Sequence, residues 1–198
     1  MKINNKILIY SSNQKKISEL KKIILIKKLK FVTLKNINLK SLPKEYGKTF
    51  KENAIIKSKF GFNKYKLPCV ADDSGICISA LQNRPGVYSN RFLNKYKTIK
   101  KAHYEILKKI NKTGNNNAYF KTVISLTYKK NKTITFEGIK RGVIVQKMLG
   151  KNGFGYDPIF KPNNSKKTFA QMTKKEKNSI SHRSIAINKL LKFLNKII

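Results

Sequence analysis

Two long β-rich runs follow one another in the second half of this chain, and they exclude a plain alternation of strands and helices. Ala118 to Tyr128 and Thr133 to Gln146 are linked only by the polar turn Lys129 to Lys132. The first half reads differently. Lys6 to Tyr10 has the apolar run of a buried strand, and Ser11 to Gln14 is the polar turn after it. From Lys15 the residues Ile17, Leu20, Ile23, Ile24 and Leu29 recur at helical spacing. Phe31 to Leu34 reads as a second strand and Pro43 to Gly47 as loop. Thr49, with Glu52 three residues on, has the form of a capping box and opens a helix to about Asn63. Pro68 opens a strand, Cys69-Val70-Ala71, that ends at Asp72-Asp73-Ser74-Gly75. Asn83 to Gly86 reads as a turn, Ala102 to Ile110 as helix, Gly114 to Asn117 as turn and Gly150 to Tyr156 as a glycine-rich loop. A last helix spans Ile180 to Leu194, beginning at or just before Ser181-His182-Arg183. The order predicts an α/β fold with an antiparallel insertion. At 198 residues and 40% hydrophobic content the chain can build one good core, so residues 1–198 are expected to form a single domain, pinched into two lobes.

The formal net charge of +36 first suggests a partner rich in phosphate, because Lys and Arg release counterions when they neutralise a polyanion. The kind of base argues otherwise. Only Arg84, Arg91, Arg141 and Arg183 are arginine, leaving 41 lysines spread from end to end. Lysine, asparagine and isoleucine dominate, and A- and T-rich codons write all three. Drift toward such codons raises the charge without a partner, whereas a dedicated binder concentrates its bases on one face. No specific nucleic-acid partner is therefore expected.

Cys69 and Cys77 form no CxxC and have no second pair, which excludes a zinc-finger pattern and a disulfide framework and fits a reducing cytoplasm. The run Ile7-Leu8-Ile9-Tyr10 is too short for an export signal. No stretch reaches the ~20 apolar residues of a bilayer span. The protein is expected to be soluble and cytoplasmic.

With only nine acidic residues, their positions carry information. Asp72 and Asp73 are adjacent at the end of a predicted strand, where ligands gather in α/β sheets. Neighbouring carboxylates repel unless a cation or a shared proton relieves them, and magnesium suits such a pair. The plainer alternative is that one of them is a turn or N-cap residue. Ser11-Ser12-Asn13-Gln14-Lys15-Lys16, between strand and helix, has the form of a phosphate cradle built on helix-start amides, although it lacks glycine. Gly153-Phe154-Gly155-Tyr156-Asp157-Pro158 is either a surface for stacking a flat ligand or a bulged turn with a packed aromatic. Ser181-His182-Arg183 places at a helix start an arginine able to donate to the O6/N7 edge of a purine. Taken singly, such a pair reads more simply as surface. His103, in a Lys- and Tyr-rich helix, receives no role.

Together these segments resemble the inosine/xanthosine triphosphate pyrophosphatases. The matching runs are Ser11 to Lys16, Thr49 to Ala54, Ala71 to Gly75, Pro85-Gly86-Val87-Tyr88-Ser89, Gly153 to Phe160, and Lys177 through Arg183, in the family's order and over nearly the whole chain. The resemblance implies a mixed α/β fold, with a long twisted central sheet flanked by helices and a cleft between two lobes, usually as a homodimer. It implies hydrolysis of ITP, dITP and XTP to the monophosphate and pyrophosphate with Mg2+, which keeps these nucleotides out of DNA and RNA. Asp73 would be the general base and a metal ligand, with Glu45 as the second metal ligand. Ser11, Ser12, Asn13, Gln14, Lys15 and Lys16 would hold the triphosphate, joined by Ser74 and Lys177. Phe154, Gly155, Tyr156 and Asp157 would hold base and sugar, and His182 and Arg183 would read the 6-keto edge. The family's first turn usually carries glycines where Ser12 and Lys15 stand here.

Three rivals make different predictions. A pyrophosphatase for modified pyrimidine nucleotides would show itself in a substrate panel, and Ser181-His182-Arg183 argues against it. A nucleic-acid-binding module would bind DNA or RNA tightly, with a steep salt dependence that survives Asp73→Asn. An inactive relic would turn over nothing, and the intact acidic and Ser-His-Arg elements speak against that.

Overall fold

The computed structural model describes residues 6–23, 29–36 and 43–197. Its elements in chain order are β1 (Lys6–Ile9), α1 (Gln14–Ile23), β2 (Lys30–Thr33), α2 (Phe50–Tyr65), β3 (Cys69–Ile78), β4 (Arg84–Pro85), α3 (Ser89–Asn94), α4 (Ile99–Thr113), β5 (Asn117–Lys129), β6 (Lys132–Ile144), β7 (Phe160–Pro162), α5 (Lys174–Ile180) and α6 (His182–Ile197). One seven-stranded sheet runs in the order β2-β1-β3-β5-β6-β7, with β4 paired to β3. β1 pairs in parallel with β2 and β3, whereas β7 lies antiparallel to β6. This is the mixed α/β class that the strand and helix order predicts. The two long β-rich runs are the adjacent strands β5 and β6.

The chain forms two compact units. The first comprises residues 1–73, 122–138 and 184–198, and the second residues 74–121 and 139–183. In the first unit β1 is apolar on both faces, as a central strand covered on both sides must be. Alternation divides its side chains: Ile7 and Ile9 join a core with Ile17 and Leu20 of α1 and with Ala186, Ile187, Leu190 and Leu194 of α6. Leu8 and Tyr10 turn to the other face and pack with Cys69 and Ala71, against Phe60, Phe62 and Tyr65 of α2. Gly61 is required there, because a Cβ would run into Cys69 Sγ and the Tyr10 ring. The second unit packs Ile76 and Ile78 of β3, Ile106 and Ile110 of α4, and Phe120 of β5 around Phe160 and Phe169. Phe120 and Phe160 meet edge-on at 4.8 Å.

Several sequence expectations need correction. β3 does not end at Asp72-Asp73-Ser74-Gly75 but runs through it to Ile78. Its registered pairs with β1 stop at Ile9↔Val70, so the two aspartates lie just beyond that ladder, within a continuing strand. A turn or N-cap role for either is thereby excluded. Leu29 is not helical, though it is buried immediately before β2. Ile24 lies outside the described residues. Asn83 to Gly86 is less a free turn than the entry to β4 and a short 3-10 turn, Gly86–Tyr88. The last helix starts at His182, two residues later than expected, because Ser181 is extended with φ −72° and ψ 156°; a separate short helix, α5, ends at Ile180 and was not predicted. Two further capping boxes, Thr168 with Gln171 and Thr173 with Glu176, the latter starting α5, were missed by the sequence reading.

Candidate active site

Two clusters gather the predicted residues, one in each unit. In the first, the capping box forms as predicted: Thr49 Oγ1 accepts from the Glu52 N–H, and Glu52 Oε2 accepts from the Thr49 N–H. A fixed start sets the rotation of α2, whose buried face carries Phe50, Asn53, Ala54, Ser58 and Gly61. Asn53 and Lys57 are one turn apart on that side. Asn53 Nδ2 donates to Asp73 Oδ2 at 3.2 Å, and Lys57 Nζ donates to Glu45 Oε1 at 2.8 Å. The same ammonium is 3.8 Å from Asp73 Oδ1. Asp72 takes a different partner, Lys16 Nζ at 2.7 Å.

The electrostatics follow from this arrangement. Burial raises the Asp73 carboxyl; Lys57, Lys16 and the Asn53 hydrogen bond oppose it, Glu45 adds to it, and the result is about 6. Burial alone would lower Lys57, but Asp72, Asp73 and Glu45 outweigh it and hold the ammonium above its ordinary value. Lys57 therefore stays charged while Asp73 can exchange a proton near neutrality. The sequence reading missed both Asn53 and Lys57. The signal was there: two polar residues at i and i+4, in step with the apolar residues Phe50, Ala54 and Gly61.

The Ser11 to Lys16 turn caps α1. Asn13 Oδ1 accepts from the Lys15 and Lys16 amides at 3.1 and 3.2 Å, and Ser11 Oγ accepts from the Asn13 amide. The helix-start amides that would face an anion are thus engaged by the turn's own side chains. What the turn offers outward is Ser12, Asn13, Gln14 and Lys15, all exposed. Ser74 follows Asp73 in β3 and is half-buried.

The second cluster centres on Asp157, which is 2% exposed. Its Oδ2 accepts from the Phe154 N–H at 2.7 Å and from Lys177 Nζ at 2.6 Å. Gly153 has φ +77°, and a Cβ there would run into the same carboxylate, so glycine is what permits this loop. Lys177 Nζ lies 4.9 Å from the centre of the Phe154 ring, and the Arg183 guanidinium 5.8 Å from it. His182 stacks on Phe120 at 4.6 Å with the rings 8° apart. Phe154, Asp157, Lys177 and Arg183 are therefore one physical group, with His182 anchored behind them. Tyr156 turns inward instead, and its hydroxyl donates to Ser89 O at 2.8 Å. His103 proves to be buried too, its Nε2 3.0 Å from Gly155 O.

Among the described residues no set of three His, Cys, Asp or Glu side chains forms a metal cage. Magnesium does not need one, since it is commonly held by one or two carboxylates together with substrate phosphates. Glu45 and Asp73 fit that mode, because both already face one cation, the Lys57 ammonium.

Fold and clusters together define a mixed α/β protein with a buried, basic-flanked carboxylate centre and a separate aromatic–basic group. Residues 7–193 match the Ham1 family, and the chain belongs to that family. It is 38% identical over 191 residues to a Christiangramia forsetii protein named dITP/XTP pyrophosphatase, covering 96% of this chain and 100% of the relative. A Borrelia duttonii protein of the same name is 41% identical over 193 residues, covering 93% and 94%. The Staphylococcus aureus Ham1 protein superposes with a TM-score of 0.88 at 37% identity, covering 96% of this chain and 98% of that one. A HAM1 protein from Coxiella burnetii gives 0.89 at 34% identity, with the same coverage.

Proposed function

We propose that this protein hydrolyses non-standard purine nucleoside triphosphates (ITP, dITP and XTP) to the monophosphate and pyrophosphate. The observation that carries the reading is Asp73, a buried carboxyl held by Asn53 and faced by Lys57, with its proton affinity raised to about 6. Such a group is ionised at neutral pH and still basic enough to take a proton from water. The names of the relatives supply the substrate class.

In this reading the Ser11 to Lys16 turn engages the triphosphate, with the exposed Lys15 ammonium as its principal cation. Asp73 orients the attacking water and accepts its proton as the new oxygen–phosphorus bond forms at the α-phosphorus. The α–β anhydride bond breaks and pyrophosphate leaves. Lys57 remains protonated and offsets charge gathered on Glu45 and Asp73. Glu45 and Asp73 would hold Mg2+, which supplies positive charge to offset that of the phosphate oxygens. Phe154 to Asp157 engages base and sugar. A 6-keto oxygen accepts from Arg183 or from a backbone N–H, whereas the amino group of adenine leaves that donor buried and unpaired.

We also assign the protein to the cytoplasm and to a homodimer. Two free, buried cysteines suit a reducing compartment, and among the described residues no helix is long and apolar enough to cross a membrane. The dimer rests on the resemblance, and a solution mass of twice 22.8 kDa is its test.

The deciding experiment is pyrophosphate release from ITP, XTP, dITP, GTP and ATP, with and without magnesium, by wild type and Asp73→Asn. Magnesium-dependent release from the first three, lost in the variant, is the expected result. Absence of release from all five overturns the assignment.

A further inference from the structure

The sequence gives His103 no role, and the residues expected to hold the base do not include it. The structure puts it against that loop. His103 lies on the buried stripe of α4 with Ala102, Ile106, Leu107 and Ile110, and is itself 1% exposed. A carbonyl oxygen can only accept, so the 3.0 Å contact with Gly155 O requires the proton on Nε2. Nδ1 is buried and makes no hydrogen bond among the described residues. A second proton there would be an unsatisfied buried donor, so the ring is neutral, with Nε2–H aimed at Gly155. Burial pushes its pKa down, against the opposing effect of the Gly155 bond.

What this bond fixes is a peptide plane. Phe154 to Asp157 form a tight turn closed by the Asp157 N–H on Phe154 O at 3.3 Å. Gly155 has φ +61°, and Tyr156 has φ −92° and ψ 4°. Positive φ at the first central residue with negative φ at the second marks a type II′ turn, in which the central peptide is Gly155–Tyr156. That peptide is trans, so its C=O and N–H point in opposite directions. Holding Gly155 O on His103 therefore directs the Tyr156 N–H away from α4. Among the described residues that amide donates to nothing. Its neighbours in the turn are already committed: the Phe154 N–H is held by Asp157.

We propose that His103 is a positioning residue: by anchoring Gly155 O it presents the Tyr156 N–H as a fixed donor to the keto oxygen of a bound purine. The proposal rests on the reading that the Phe154 to Asp157 loop holds the base. Glycine at 155 leaves the backbone free to rotate, and a rotated peptide would present a carbonyl, an acceptor suited to an amino group. The anchor thus favours keto over amino purines, without His103 touching the substrate.

The test compares His103→Leu, which removes the donor, with His103→Gln, whose amide nitrogen can reach the place of Nε2. His103→Met serves as a second donor-free variant should Leu fail to fold. Steady-state pyrophosphate release is measured with ITP and ATP. The donor-free variant is expected to raise KM for ITP by about two- to tenfold, the scale of one neutral hydrogen bond. Its kcat should stay near wild type, its ITP-over-ATP preference should fall, and His103→Gln should restore both. Hydrogen exchange over residues 153–159 should be faster in the donor-free variant only. A KM and a preference that do not move in a folded donor-free variant overturn the proposal, as does failure of a folded His103→Gln to restore them. If wild type turns over no nucleotide, the function reading fails by itself, and equal exchange in all variants then refutes the anchor separately.

Discussion

The Lys57 ammonium stands 3.8 Å from Asp73 Oδ1, close enough to attract the carboxylate and too far to hydrogen-bond it. Its short bond goes to Glu45 instead, at 2.8 Å. Burial wins over the attraction of Lys57 and Lys16 and leaves the Asp73 carboxyl at about 6. If the ionised form is the base, kcat/KM for ITP should fall about tenfold per pH unit below that value and level off above it. A pH–rate profile from pH 4.5 to 8.5 (roughly the range that brackets the limb) checks this. A profile that stays flat to the acid end of that range would show that a carboxyl of this raised affinity is not the base.

The same shift has a consequence for stability, opposite in sign to that of an ion-paired carboxylate. The folded chain holds the Asp73 proton up to about 6, whereas the unfolded chain loses it near the ordinary 3.8. Between these values the native state binds more protons, so stability falls as pH rises through that window. Asp73→Asn removes the cost of the buried charge and keeps an oxygen for Asn53. It should abolish turnover and yet stabilise the fold at pH 8 by on the order of 1–3 kcal/mol. Denaturant melts at pH 8 and at low pH should show the gain at the higher pH and its disappearance at the lower.

Lys177 and Asp157 present the reverse case, a buried pair in full contact. Nζ and Oδ2 are 2.6 Å apart, with both side chains at least nine-tenths buried. Lys177→Met removes the ammonium that contacts this buried carboxylate, and should cost about 3–5 kcal/mol. Adding Asp157→Asn should recover part of that loss, a non-additivity that a double-mutant cycle measures. Strict additivity would show that the two groups do not act as a pair.

The class of fold was legible because period and punctuation agreed. Ile7 to Tyr10, the Thr49 and Glu52 box and the two β-rich runs each signal their element locally. The short helix α5 was not legible, since Ile180 is its one apolar residue and no periodic stripe marks it. The course of β3 was misread for a different reason. Asp72-Asp73-Ser74-Gly75 has turn composition, yet the sheet carries it through as strand, with lysines from α1 and α2 meeting the charges. Asn53, Lys57 and His103 escaped because a polar residue on a buried helical stripe looks like noise until its partner is placed. Asp73 lies 20 residues from Asn53, and Gly155 lies 52 from His103.

The charge of the chain supplies a last prediction. Nine acidic side chains cannot neutralise 45 basic ones, and the acids in the two clusters are already engaged by Lys16, Lys57 and Lys177. The excess is long-range repulsion among lysines, which compacting the chain increases. Raising salt from about 0.01 M to about 0.1 M shortens the screening length from about 30 Å to about 10 Å, and should therefore raise the melting temperature. The buried pairs are screened far less and should not oppose this. Polyanion binding, if it is only a by-product of composition, should be weak at the lower salt concentration and lost at the higher, whereas a dedicated binder would hold DNA tightly at the lower. Thermal melts and a DNA titration at the two salt concentrations test both parts. A melting temperature that falls with salt would mean that surface ion pairs, not repulsion, dominate this basic chain.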